Sequence, residues 1–222
     1  MAVIEGGSSA EVLGVGLETA APAHTTAKPV PYGSVGHYRV AHRFVVVASQ
    51  AATSRVFEVR NTHASNLIIP LRLRIAWLQT AAHTAAIENS MDVYYASSFS
   101  AVDTTNASTL TPRPLRASMG ATSASFRGVT ATGVAAGMTG GTVTLDANGP
   151  TMQLGIWHLA AVPTAGPAPR AELDYAFRMG DGEHPFVLVQ NEGIVVANRV
   201  LLGAAAGSTV YIDMSYAEVT LF

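Results

Sequence analysis

The chain has 222 residues, a formal net charge of -2, only 13% charged residues and no cysteine. Charge is about half as frequent as the globular norm of roughly a quarter, so little of the surface is defended by charge and much of it is open to cover by partners. No dense Lys/Arg block provides an electrostatic footprint for nucleic acid or an anionic membrane. The lack of cysteine excludes disulfides, thiolate zinc sites and cysteine nucleophiles.

The opening "MAVIEGGSSA" has no basic segment followed by an apolar one, so it does not read as a secretory signal. No run of 18 apolar residues occurs to suggest a transmembrane helix, and the expectation is a protein that is soluble at least until it assembles. Residues 1–36 carry Pro22, Pro29 and Pro31 and no sustained period of 3.6 or 2. They read as an extended arm, whose apolar pieces "AEVLGVGLETA" and "AKPVPYG" distinguish it from a solvated tail.

From His37 the pattern changes to alternation. Tyr38, Val40, His42, Phe44 and Val46 share one side, which predicts a half-buried strand. "RVFEVRN" (55–61) follows, with Phe57 and Val59 as its expected buried face. "LIIPLRLRIAWLQ" (67–79) aligns Leu71, Leu73, Ile75 and Trp77, and Pro70 predicts a bulge or an edge because it has no N–H. "SMDVYYASSFS" (90–100) is a further strand, and "AAHTAAIEN" (81–89) before it reads as a loop.

Residues 101–150 are rich in Ser, Thr, Gly and Ala, with β-like pieces at 124–130 and 141–147. Fifty structureless residues inside a compact domain would be anomalous, so hairpins are expected there, one of them signalled by Gly140 and Gly141. "TMQLGIWHLAAV" (151–162) and "ELDYAFRM" (172–179) are strand-like, and the Asp-Gly pair of "GDGEHP" signals a hairpin turn. The last two apolar runs, Ile194 to Leu202 and Val210 to Tyr216, read as a closing pair of strands, with Val210, Ile212, Met214 and Tyr216 on one face. Eight to ten short strands without a convincing amphipathic helix predict an all-β antiparallel sandwich over 37–222. A jelly roll is the preferred topology and an immunoglobulin-like sandwich the alternative.

Candidate chemistry is sparse. The histidines His24, His37, His42, His63, His83, His158 and His184 form no His-x-His, His-x3-His or HExxH spacing, so no metal site is expected. Asp181 and Glu183 are too few oxygens for a calcium loop. No GxSxG or SxxK marks a serine nucleophile, and nothing singles out a catalytic pair among carboxylates that include Glu58, Glu88, Asp92, Asp103, Asp146, Glu172 and Asp174. "GVAAGMTGG" lacks the Lys-Ser/Thr of a P-loop and reads as turns. Trp77 alternates in phase with core residues; Trp157 is ambiguous between core and ligand stacking. No catalytic residue, cofactor or metal is expected, and the reading is not an enzyme.

"MAVIEGG", "AKPVPYGSVGHYR" and above all "HPFVLVQNEGIVVANRVLLGAAAGSTVYIDMSYAEV" (184–219) resemble a recurring type of tailed-bacteriophage virion structural protein. Such proteins open on a Gly/Ala-rich arm and end on "NEG-hydrophobic-V-x-N", a small-residue turn and a strand closing in "W/Y-x-E". The resemblance covers the first 47 and last 35 residues. It implies a late protein made in the host cytoplasm and incorporated in the virion as a capsid decoration or cement protein. Its implied partners are its own copies, as a homotrimer, and the major capsid protein or other virion proteins. The alternative is a head-fibre or tail adhesin that recognises host-surface glycan through loops in 101–150.

Overall fold

The computed structural model describes residues 2–6, 11–15, 35–80, 87–158, 170–177, 185–201 and 207–220. The chain divides into two units, Met1–Val30 and Pro31–Phe222. In the first, β1 (Ala2–Gly6) and β2 (Glu11–Val15) pair antiparallel, with Ile4 opposite Leu13. The remainder of the arm up to residue 34 lies outside the described residues.

The second unit is an antiparallel β-sandwich, with no helix among the described residues. One sheet has five strands in the order β12 (Arg170–Ala176), β5 (Leu67–Gln79), β14 (Ser208–Val219), β3 (Gly36–Val46) and β8 (Arg113–Pro114). The other has seven. Its main path runs β10 (Thr142–Leu145), β6 (Ile87–Ala101), β13 (Gly193–Asn198), β4 (Arg55–Asn61), β9 (Ala124–Val129) and β7 (Ala107–Leu110). The seventh strand, β11 (Met152–His158), shares an edge of β6 with β10: it pairs with Ile87 to Val93, and β10 with Ala96 to Ala101. β3, β4, β5 and β6 alternate between the sheets, as do β12, β13 and β14.

The period-2 pattern sets which side of each strand is dry. In β3, Tyr38, Val40, Phe44 and Val46 are at most 3% exposed, and in β14 Val210, Ile212, Met214 and Tyr216 are at most 1%. These side chains join Leu73, Ile75 and Trp77 of the same sheet and Phe57, Val59, Val93, Phe126, Ile194 and Val196 of the other in one core cluster. Each large side chain removed from water in this way contributes roughly 1.5–3 kcal/mol before conformational entropy is subtracted.

Pro70 sits in an interior strand, between β12 and β14, and a bulge accommodates it. Tyr216 is opposite Pro70 and Ser215 opposite Arg72, so Leu71 is the extra residue. The bulge breaks the alternation that placed Leu71 with Leu73. Leu71 packs instead with Leu67, Ile69, Ala217 and Val219 in a separate cluster.

Two other expectations fail on pairing. β13 and β14 do not pair with each other: β13 lies between β4 and β6, and β14 between β3 and β5, so the last connection crosses from one sheet to the other. The hairpin expected at Gly140–Gly141 does not form either, because β9 pairs with β4 and β7 while β10 pairs with β6. Alternation reports which side of a strand is dry, and both sheets draw on the same core, so it carries no information about which sheet a strand joins. The Asp-Gly turn at 181–182 lies outside the described residues.

The sheets approach closely where β9 faces β3. A Cβ on Gly128 would lie 2.6 Å from the ring of His42, which stacks against Phe44 at a centroid distance of 5.6 Å. Gly128→Ala is expected to destabilise the fold in urea denaturation, because overpacking costs about 1–3 kcal/mol and exceeds the entropic gain of removing a glycine. Combining it with His42→Ala should recover part of that loss, and strictly additive effects would argue against the contact.

Candidate functional site

The expected buried face of β4, Phe57 and Val59, is buried, and so is the opposite one: Val56 and Glu58 are both 0% exposed. Segments 102–106 and 137–141 cover it. They are held together by Thr104 and Thr105 N–H groups donating to the Thr139 carbonyl at 3.1 and 2.9 Å, with Met138 N–H donating to the Arg55 carbonyl at 2.8 Å. Under this cover Asp103, also 0% exposed, accepts from Arg55 Nη2 at 2.6 Å and from the Gly141 N–H at 2.7 Å. Its own N–H donates to Glu58 Oε1 at 2.7 Å.

Burial pushes the Glu58 carboxyl up to about 7, and the negative charge of Asp103 adds to the shift. Two carboxyls that were separate names in the sequence therefore form one closed cluster with Arg55. A shallow cleft of about 380 Å³, lined by Ser54, Arg55, Met138, Thr139, Val143 and Leu145 among others, lies on the Arg55 side. The acidic pair itself is sealed from solvent, so its chemistry is that of an anchor: it binds a loop-carrying insertion to the sheet.

The "NEG", "V-x-N" and "Y-x-E" residues of the C-terminal motif are also anchors. Asn191 has φ of 67° in the turn before β13; its N–H donates to the Asn61 carbonyl at 2.8 Å and its Oδ1 accepts from Arg60 Nη2 at 2.6 Å. Glu192 Oε2 accepts the Val189 N–H at 2.9 Å, closing the same turn. A Cβ on Gly193 would sit 2.0 Å from the Val59 carbonyl oxygen, so the backbone approach admits only glycine. Asn198 Nδ2 donates to the carbonyls of Ala51, at 3.2 Å, and Val200. Tyr216 donates to Thr122 Oγ1 at 2.8 Å, and buried Glu218 accepts from the Ser123 N–H at 2.8 Å. Burial raises the Tyr216 phenol pKa well above its ordinary value, with Glu218 adding to the effect, and keeps it a neutral donor.

The outer face of the five-stranded sheet is different, since its polar groups meet solvent. Arg39 bonds Asp213 through Nε at 2.7 Å, Arg72 bonds Asp174 through Nε at 2.6 Å, and Arg74 bonds Glu172. In register these arginines sit opposite Ser215, Ala176 and Asp174, so each ion pair is a diagonal one. Ion pairing raises the three guanidinium pKa values, and Arg72 holds the Asp174 carboxyl below its usual range. Between these pairs the face opens into a cavity of about 510 Å³ whose lining includes Ala41, Arg43, Arg74, Ala76, Tyr211 and Asp213.

Of the histidines, His42 is in the core, where burial lowers its pKa; His37 and His63 lie apart on β3 and after β4. His24, His83 and His184 lie outside the described residues, as do Asp181 and Glu183; His158 and Trp157 are described only as members of β11. Trp77 is 1% exposed, as its phase predicts. Gly133, Gly137 and Gly140 have φ of 71°, 69° and 92°, so the glycine-rich stretch is a series of turns. No group of three or more His, Cys, Asp or Glu suited to a metal ion occurs among the described residues. Compared with known proteins, the chain matches no family model, no curated protein and no solved structure.

The acidic pair gives the fold a defined pH response. Glu58 titrates near 4.5 as a free side chain and at about 7 in the fold, so the folded state binds more protons between those values. Its contribution is therefore fully present below about pH 4.5 and is lost as pH rises through 7. Glu58→Gln, which retains an acceptor and a donor without the charge, should flatten the decline in melting temperature between about pH 5 and 8. An unchanged decline would show that the pair does not govern it.

Proposed function

We propose that this chain is a structural protein of a bacteriophage virion, acting as a capsid decoration or cement component that assembles with copies of itself and with shell proteins. The observation that carries the reading is the use made of the C-terminal motif. Its polar members Asn191, Glu192, Asn198, Tyr216 and Glu218 hold loops to the sheets, so the sequence signature reads as a mark of architecture. The alternation of β3 to β6 and of β12 to β14 between sheets supports a jelly-roll topology, which suits this role.

The N-terminal unit supports assembly. A two-stranded ladder is marginal alone in water, and β1 with β2 belongs to a unit separate from the body. Added to the edge of a neighbouring sheet, such strands gain main-chain hydrogen bonds and repay the entropy of ordering. In this reading the arm grips the shell or an adjacent subunit, the bodies pack as a homotrimer, and no catalytic step is involved.

Deleting residues 1–33 should leave a body with the melting transition of the full chain, while abolishing incorporation into particles and reducing the oligomeric mass measured by light scattering. Normal incorporation of the truncated protein, or an absence of the full chain from purified particles imaged by cryo-electron microscopy, would overturn the reading.

A further inference from the structure

The outer face of the five-stranded sheet includes Arg39, Arg43, Arg72, Arg74 and, opposite Arg39 on β8, Arg113, together with the acids Glu172, Asp174 and Asp213. Three of the arginines have an acid on the diagonal. Arg43 does not. Its register partner is Tyr211, and the diagonal position corresponding to the other pairs is Thr209. Its guanidinium lies over the Tyr211 ring, 5.8 Å from the centroid, and among the described residues it has no acidic partner.

Tyr211 is 42% exposed and stands in the middle of the sheet, between Arg43 on β3 and Ala76 on β5. Arg43 covers the ring from one side; across the strand Ala76 carries only a methyl, and Ala41 and Ala76 leave the cavity its depth. Asp213 and Arg74 border this space, each already oriented by its ion pair with Arg39 or Glu172. The cavity therefore combines an exposed aromatic ring, a fixed carboxylate, a fixed guanidinium and one spare positive charge, all on adjacent sheet strands rather than on loops. Its volume of about 510 Å³ is in the range of small-ligand sites, and its pre-organisation reduces the entropy lost on binding.

From this geometry we infer that the concavity around Tyr211 and Arg43 is a binding site for an acidic saccharide, one that carries a carboxylate of the uronate or sialate class. The apolar face of a sugar ring packs on Tyr211. Its hydroxyls take hydrogen bonds from Arg74 and donate to Asp213, and its carboxylate meets the Arg43 guanidinium, which matches planar carboxylates in a bidentate way. A neutral sugar leaves the Arg43 charge uncompensated, and a purely apolar ligand desolvates the hydrogen-bonding capacity of Asp213 and Arg74 that their ion pairs leave unused. The site is independent of the structural role proposed above.

The test is calorimetric titration of the full chain with trigalacturonate, with sialyllactose and with neutral maltotriose. At least one acidic sugar is expected to bind saturably, about tenfold or more tighter than maltotriose and more weakly as salt rises. Which of the two binds identifies the carboxylate source. Tyr211→Ala and Arg43→Gln should each weaken that binding about tenfold or more, with melting temperatures close to that of the unaltered chain because both side chains are exposed. No saturable binding of either acidic sugar, equal binding of maltotriose, or binding untouched by both substitutions overturns the proposal. Self-association that Tyr211→Ala abolishes, without sugar binding, would assign the face to a second copy of the chain instead.

Discussion

Four aromatic rings in sequence hold the two sheets together. Tyr38 stacks on Tyr216 at 5.4 Å, Tyr216 meets Phe126 at 5.2 Å and Phe126 meets Phe57 at 6.0 Å, so the row starts in the five-stranded sheet and ends in the seven-stranded one. Aromatic contacts of this kind add about 0.5–1.5 kcal/mol per pair beyond area burial. The row also fixes the chain between the sheets. The hydroxyls of Tyr38 and Tyr216 donate to the Gly120 carbonyl and to Thr122, and Glu218 secures Ser123, so segment 120–123 is bound to the same seam. Beside it, Gly128 lets the His42 ring reach the opposing sheet, and the spacing of the sandwich there is set by the absence of one side chain.

The remaining polar groups divide by depth. Those that are buried or half-buried act on the backbone: Asp103 and Glu58 hold the 102–106 and 137–141 segments over β4, and Asn191, Glu192 and Asn198 close the turns around β13. A buried group of this sort stabilises only while its partner stays in place, because leaving it unpaired costs the full desolvation penalty. Those at the surface of the five-stranded sheet pair diagonally, are screened by water and add little to stability. That frees the outer face to vary its charge. Among the described residues Arg43 has no acidic partner, and Thr209 stands at the diagonal that an acid occupies in the other pairs.

The insertion 102–150 shows how a Ser/Thr/Gly-rich stretch becomes ordered. Its own strands β7, β8, β9 and β10 are two to six residues long and bury few large side chains. It gains order by adding to existing edges: β9 extends the seven-stranded sheet beyond β4, β8 extends the other beyond β3, and β10 returns to β6. The partly buried Arg55–Asp103 pair and the Thr105–Thr139 bridge then fasten it on the outside of the sheet.

The sequence by itself determined the all-β class, the dry faces of β3 and β14, the place of Trp77 in the core and an irregularity at Pro70, a bulge or an edge, of which the structure has the bulge. All of these follow from period-2 alternation and from the chemistry of single residues, which are local. Only the tertiary structure decided which strands neighbour one another, that β13 and β14 belong to different sheets, and that Glu58 meets Asp103 forty-five residues away. It also decided that Arg43 has no acidic partner among the described residues, since an ion pair depends on the diagonal across two strands and not on any spacing along the chain. Faces are written in the order of residues; pairings depend on how two sheets share one core, and a polar residue acquires its role from the partner that this packing brings to it.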